Sequence, residues 1–179
     1  FNNIAKISRK EFKLWMRLLK KIDRSVLWLL KPNEVAIKNM ISDANDNDIK
    51  KERLIFAERF NLNDHMSRHS CVDLFLDTFN FNAATTATIA LITGTPIVTL
   101  TGKSYSSRMA TSILKSFDLD ELITSCESEY ESLAYELATN KKKLNTICEK
   151  INLKVNAPVS KSLQFTKELE DIYSKIIET

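Results

Sequence analysis

Glycine is almost missing from this chain: 2 residues in 179, beside 3 prolines and 2 histidines. So little of the chain-breaking residues excludes a collagen-like or proline-rich disordered protein. No apolar run approaches the roughly 18 residues of a membrane-spanning helix, and no span is expected. Residues 1–15 lack the basic-then-apolar pattern of a secretory leader. The three cysteines, Cys71, Cys126 and Cys148, are odd in number, widely spaced and without a CxxC pair. With so few histidines they offer no metal-ligand set. The reading is buried free thiols of a reducing compartment, hence a cytoplasmic protein. A net charge of +3, with no basic stripe interleaved with aromatics, excludes nucleic acid as the expected partner. The one dense basic run, Lys141 to Lys143, reads as a solvated break between two helices.

What is there concentrates in residues 82–108, which hold both glycines, Gly94 and Gly102, and one proline, Pro96. Thr85 and Thr86 open an expected helix. Thr93-Gly94-Thr95-Pro96 stops it, and Ile97 to Leu100 follows as an apolar strand. A hydroxyl pair at a helix start after a strand is a place to hold phosphate, because free N–H groups and the positive end of the dipole face an anion there. A nucleotide or phosphate site in an α/β domain is the first expectation.

Elsewhere, Ser8-Arg9-Lys10-Glu11 reads as a capping box. The helix behind it carries Phe12, Trp15, Leu18, Leu19 and Ile22 as an apolar stripe. Val26 to Leu30 fits a strand buried on both faces. A helix is expected over 33–47 with Val35, Ile37, Met40, Ile41 and Ala44 inward. Further strands are expected at 53–56 and 72–77, a polar-capped helix start at Asn63, and a helix over 104–117. Strands and helices alternating in this way predict βαβ units and a Rossmann-like doubly wound parallel sheet of five or six strands. From residue 126 helices alone are expected, over 126–139, 141–153 and 159–177, packed on the sheet or reaching toward a missing domain. The division is a nucleotide-binding region over 1–125 and a helical tail over 126–179 of the same domain. The chain begins at Phe1 without Met and is expected to be the carboxyl-terminal part of something longer. Ligands of an open parallel sheet sit outside the carboxyl ends of the strands. That places the candidates in residues 2–7, 31–33, 57–63, 78–84 and 101–104.

Seven motifs in order then resemble the carboxyl-terminal half of the catalytic region of O-linked N-acetylglucosamine transferases. They are Ser25 to Leu30, Arg53 to Phe56, His65 with Arg68, Asp73 to Thr78, Asn82 to Thr86, Gly94 to Thr99, and Ser107 to Ser112. The resemblance implies the GT-B architecture, with this domain holding a UDP-sugar. An amino-terminal half and a tetratricopeptide array outside this chain would supply the acceptor protein's contacts. It implies metal-independent, inverting transfer of the sugar to Ser or Thr hydroxyls, with no cofactor.

By the same resemblance, Lys6 is the cation that stabilises the departing diphosphate, and Asn3 stands beside it where the family often has Gln. His65 and Arg68 reach the nucleotide from one helix face. Arg59 and Phe60 lie in the loop whose backbone meets the uracil edge, and Thr85 and Thr86, after Ala84, hold phosphate. His69 is read as plain surface, Trp15, Trp28 and Phe56 as core, and Arg108 as a structural anchor of its helix. Four positions depart from the family. Ala84 stands for His, Ile89 for the Asp that meets the ribose, Leu62 for the Lys that packs on the base, and Ala83 for Gly. These departures favour an alternative, a degenerate module that binds without catalysis. A doubly wound regulator unrelated to sugars is the remaining reading.

Overall fold

The computed structural model describes residues 3–155 and 160–177. Five short parallel strands alternate with helices. In chain order these are α1 (Arg9–Lys21), β1 (Leu27–Leu30), α2 (Glu34–Asn45), β2 (Leu54–Ala57), α3 (Leu62–Arg68), β3 (Phe75–Leu76), α4 (Thr85–Ile92), β4 (Ile97–Leu100), α5 (Met109–Ser116) and β5 (Ile123–Thr124). Then come α6 (Glu127–Thr139), α7 (Lys141–Val155) and α8 (Ser160–Ile177). All strand pairs are parallel, as βαβ units require.

The strands do not form one ladder. β1 pairs with β2 over four residues, Leu27 opposite Leu54 through Leu30 opposite Ala57. β3, β4 and β5 form a separate group in that order. Between β1 and β3 lies an apolar cavity of 260 Å3, lined among others by Trp15, Leu18, Leu27, Leu29, Val72 and Phe75. It accounts for the incomplete burial of β1. Leu29 alone of that strand is buried and Val26 is half exposed, so the expected double-sided burial is not met.

The capping box is present as read. Ser8 accepts from Lys10 N–H, and Glu11 accepts from both the backbone N–H and the hydroxyl of Ser8. Phe12, Trp15, Leu18 and Leu19 of α1 are buried, and α1 packs on α6. Trp15 donates to the Tyr130 hydroxyl at 3.4 Å, and that hydroxyl donates to the carbonyl of Asp77 at 2.9 Å. One chain of polar contacts therefore runs from α1 through α6 to the end of β3. Burial pushes the Tyr130 phenol well above its ordinary range, so it stays a donor.

Gly94 ends α4 at φ +83°, where a side chain would be strained. Its N–H bonds the Leu91 carbonyl and the next N–H, of Thr95, bonds that of Ala90. At Gly102 a Cβ would fall 2.2 Å from the Ser107 Oγ. Only glycine lets the loop after β4 close on the start of α5.

Several expectations are corrected. Val35 lies outward on α2, 68% exposed, while Met40 and Ala44 point in. α3 starts at Leu62 with Asn61 as its cap, accepting from Asp64 N–H, one turn-residue pair ahead of the expected Asn63. The stretch 104–108 is turn, so α5 begins at Met109. Cys71 and Cys126 are exposed and Cys148 half-buried; all three are free thiols but none is fully buried. Trp15 is core, whereas Trp28 and Phe56 are only half-buried. α6 and α7 pack on β4, α1 and α4. The described side chains of α8 are exposed apart from half-buried Leu169. Among the described residues no helix is long and apolar enough to cross a membrane.

Candidate functional site

The loop from Thr78 to Ala84 leaves the carboxyl end of β3 and delivers the chain to α4. It is fastened from three sides. The buried Asp77 carboxylate accepts from Thr78 N–H at 2.8 Å and Ala83 N–H at 2.7 Å with one oxygen, and from the Thr99 hydroxyl at 2.7 Å with the other. Glu11, fully buried at the start of α1, accepts from Phe79 N–H at 2.9 Å. Inside the loop, Thr78 donates to the Phe81 carbonyl and the Asn82 amide donates to the Thr78 carbonyl, both at 2.7 Å. Asn82 N–H reaches the Ser106 carbonyl at 2.8 Å.

Lys6 rests on this loop. The 3-10 turn Ile4–Lys6 is capped by Asn3, whose Oδ1 accepts from Ala5 N–H at 3.0 Å. With Oδ1 so used, the Nδ2 group is what the Asn3 side chain can turn toward a ligand. The Lys6 ammonium donates to the Asn82 carbonyl at 3.1 Å and lies 4.2 Å from the centre of the Phe81 ring. Partial burial lowers its pKa and the charge of Asp77 works against that fall, so the site contains a cation held by a carbonyl and an aromatic face.

Three residues beyond Asn82, Thr85 and Thr86 form the first turn of α4. Ala84 is the residue before the helix and contributes no side-chain cap. The threonines are therefore helical residues and not capping ones. Thr85 is exposed and Thr86 half-buried. The first turn of any helix carries N–H groups without intrahelical acceptors, and Ala84 offers them no side-chain cap. Lys6 and this helix start together can hold an anion.

The second arm is the segment from Glu58 to Cys71. Arg68 is buried. Its guanidinium donates to the Glu58 carbonyl at 2.8 Å and to His65 Nδ1 from Nε at 3.0 Å, and it lies 5.2 Å from the Phe60 ring centre. Burial and then the neighbouring Arg68 charge lower the His65 pKa, and its Nδ1 accepts from Arg68. His69 is no surface residue. At 1% exposure its ring meets His65 edge-on at 5.1 Å, and burial chiefly, with the His65 and Arg68 charges, drives its pKa down to about 4. Arg59, Phe60 and Leu62 are exposed. Arg108, expected to anchor α5, is exposed and makes no side-chain hydrogen bond or ion pair among the described residues.

The structure thus brings Lys6 together with the loop leading to Thr85 and Thr86, and His65 together with Arg68 and Phe60. The carboxylates that hold the first arm, Glu11 and Asp77, escape sequence reading of the site. Glu11 had an adequate role as a capping-box residue, and Asp77 read as the end of a strand. A carboxylate immediately before a loop rich in backbone donors was the available signal. No group of three or more metal-ligating side chains occurs among the described residues.

Comparison with known proteins follows the same path. The sequence profile of glycosyl transferase family 41 matches residues 1–169. A probable UDP-N-acetylglucosamine–peptide N-acetylglucosaminyltransferase SPINDLY from Hordeum vulgare is 32% identical over 178 residues, 97% of this chain and 19% of the relative. A UDP-N-acetylglucosamine–peptide N-acetylglucosaminyltransferase from Caenorhabditis elegans is 28% identical over 177 residues, 98% of this chain and 15% of the relative. A mutant O-GlcNAc transferase of Thermobaculum terrenum superposes with a TM-score of 0.92 at 27% identity, covering 98% of this chain and 34% of that one. The chain spans about a fifth or less of the length of these curated relatives.

Proposed function

This chain belongs to glycosyl transferase family 41, and on that premise we propose that it is the donor-binding part of a UDP-sugar-dependent protein O-glycosyltransferase. The carrying observation is the placement of Lys6 on the Asn82 carbonyl, three residues ahead of the Thr85-Thr86 helix start. In this reading the diphosphate of the donor lies at the head of α4 with Lys6 against it. Thr85, Thr86 and the backbone at Ala84 take the phosphate oxygens, and Asn3 contributes through its amide. His65 and Arg68 approach the nucleoside from α3, with Arg59 and Phe60 offering backbone to the base.

Transfer follows from that arrangement. A serine or threonine hydroxyl of the acceptor protein attacks the anomeric carbon, and the bond from that carbon to the diphosphate oxygen breaks. UDP leaves with the electron pair. Lys6 and the helix start stabilise the charge that gathers on the leaving oxygens, and no metal or cofactor is called for. The hydroxyl's proton and the acceptor's contacts fall to the parts of the relatives that this chain does not cover. In the whole protein these would be an amino-terminal catalytic half and a tetratricopeptide array. Residues 1–125 then carry the donor, and α6 and α7 buttress them. Free thiols fit a reducing cytoplasm.

A second reading, a module that binds without catalysis, is favoured by one observation. Ala84, Ile89 and Leu62 put no polar side chain where the family resemblance implies three nucleotide contacts, and Leu62 is 60% exposed. Calorimetric titration of the chain with UDP and with UDP-N-acetylglucosamine tests the proposal. Binding of both with comparable affinity supports a donor site, binding of UDP alone supports the second reading, and binding of neither removes the first.

A further inference from the structure

Asp77 is a fully buried carboxylate directly beneath a site read as binding an anion, which is an adverse place for a negative charge. Its geometry explains its presence. One oxygen takes the N–H groups of Thr78 and Ala83, five residues apart, and so closes the loop into a ring. The other oxygen takes the Thr99 hydroxyl and fixes that ring to β4. The ring carries Asn82, whose carbonyl supports Lys6, and it ends at Ala83, with Ala84 alone between it and α4. A neutral hydroxyl could not accept from both amides and a third donor at once.

We propose that Asp77 is a positioning residue of the donor site. By tying the ends of the 78–83 loop together it places the Lys6 ammonium and the first turn of α4 in register with each other. The Asp77 charge also opposes the fall that burial imposes on the Lys6 pKa. The proposal rests on the donor-binding reading given above. Lys6 contacts the Asn82 carbonyl and the Phe81 ring of the loop, and Asp77 is the residue that follows β3. Asp77 is the titratable group whose charge acts on Lys6.

Two substitutions separate geometry from charge. Asp77→Asn is nearly isosteric and offers one carbonyl oxygen to the Thr78 and Ala83 amides, keeping the ring closed while removing the charge. Asp77→Ala removes both. Three quantities are read on the full chain below its melting temperature: hydrogen exchange at the Ala83 amide, the titration of Lys6 by NMR of selectively labelled lysine, and UDP affinity by calorimetry. For Asp77→Ala, Ala83 exchange should rise at least tenfold and UDP affinity fall at least tenfold. For Asp77→Asn, exchange and affinity near neutral pH should return to within about threefold of the parent. Lys6 should nevertheless titrate at lower pH, so that the alkaline loss of UDP binding sets in earlier.

A merely structural Asp77 would lower the melting temperature of both variants while leaving UDP affinity and the Lys6 titration as in the parent, and that result overturns the proposal. Should Asp77→Ala fail to fold, Asp77→Ser is read instead, since a hydroxyl cannot hold both amides and the Thr99 hydroxyl at once: faster Ala83 exchange with weaker UDP binding supports the proposal, and parent-like UDP affinity overturns it. Failure of the parent chain to bind UDP would remove the donor-binding reading, and the exchange and titration data would still judge whether Asp77 positions Lys6.

Discussion

Between β3 and α4 the candidate site is held by backbone groups and buried carboxylates, whereas between β2 and the end of α3 it is held by side chains, with Arg68 buried beneath exposed Arg59, Phe60 and Leu62. In the first arm Asp77 and Glu11 grip three backbone N–H groups of one short loop, and the carbonyl of Asn82 receives Lys6. In the second, Phe60, Leu62 and Arg59 stand in solvent, and order comes from Arg68 clasping His65 and the Glu58 carbonyl. A backbone-built arm tolerates changes of side chain. A side-chain-built arm changes its ligand with each substitution. The departures from the family divide accordingly. Ala83 lies where the contacts are main-chain, while Ala84, Leu62 and Ile89 stand where the family resemblance implies contacts that only a side chain can make.

The contrast is broken most directly by removing a carboxylate grip. Glu11→Ala abolishes the capping box and strands Phe79 N–H in the interior, and should destabilise the protein by about 3 kcal/mol. Asn61→Ala, which removes the cap of α3 in the exposed arm, should cost about 1 kcal/mol. Urea unfolding of the two variants side by side reads the difference, and equal losses would erase the distinction between the arms.

At the ligand level Lys6→Ala should weaken UDP binding by about 2 kcal/mol, the loss of a charge-assisted hydrogen bond. Calorimetry checks it, and unchanged affinity would place the diphosphate elsewhere.

The second arm should also be acid-sensitive. His69 has a pKa of about 4 in the folded chain against an ordinary 6.5, so the unfolded state takes up its proton first. The stability held by the neutral ring is complete above pH 6.5 and disappears as pH falls toward 4, a loss on the order of 2 kcal/mol. The urea midpoint of the parent should drop across that interval by more than that of His69→Gln.

The smallest effect expected is a gain. Ile89→Asp, on the half-buried face of α4, should raise UDP affinity about threefold, the worth of one weak restored hydrogen bond. No gain on titration would mean that the ribose does not lie along that face.

The run from Thr85 to Leu100 was legible because each signal in it is local. A helix opened by small residues, stopped by Gly94 and Pro96 and followed by β-branched residues appears where expected, with Gly94 in the one conformation that demands it. The capping box and the α1 stripe were legible for the same reason. The second task of Glu11 was not, since its acceptor role toward Phe79 joins positions 68 apart in the chain. His69 was misread because one polar residue between charged and serine neighbours says nothing about what packs over it. The exposure of Cys71 and Cys126 and of Val35 was misread likewise, because apolar character sets only a preference for burial.

By itself the sequence determined the alternation of strand and helix, the parallel sense that short βαβ connections impose, and the family to which the chain belongs. These follow from propensity, periodicity and motif order, which act over a few residues at a time. Only the tertiary structure decided that the sheet is divided between β1 and β3, that Lys6 sits on the Asn82 carbonyl, and that two buried carboxylates hold the loop beneath it. Those are meetings of residues from distant parts of the chain. Their free energy depends on distance and desolvation, and neither is written in local order.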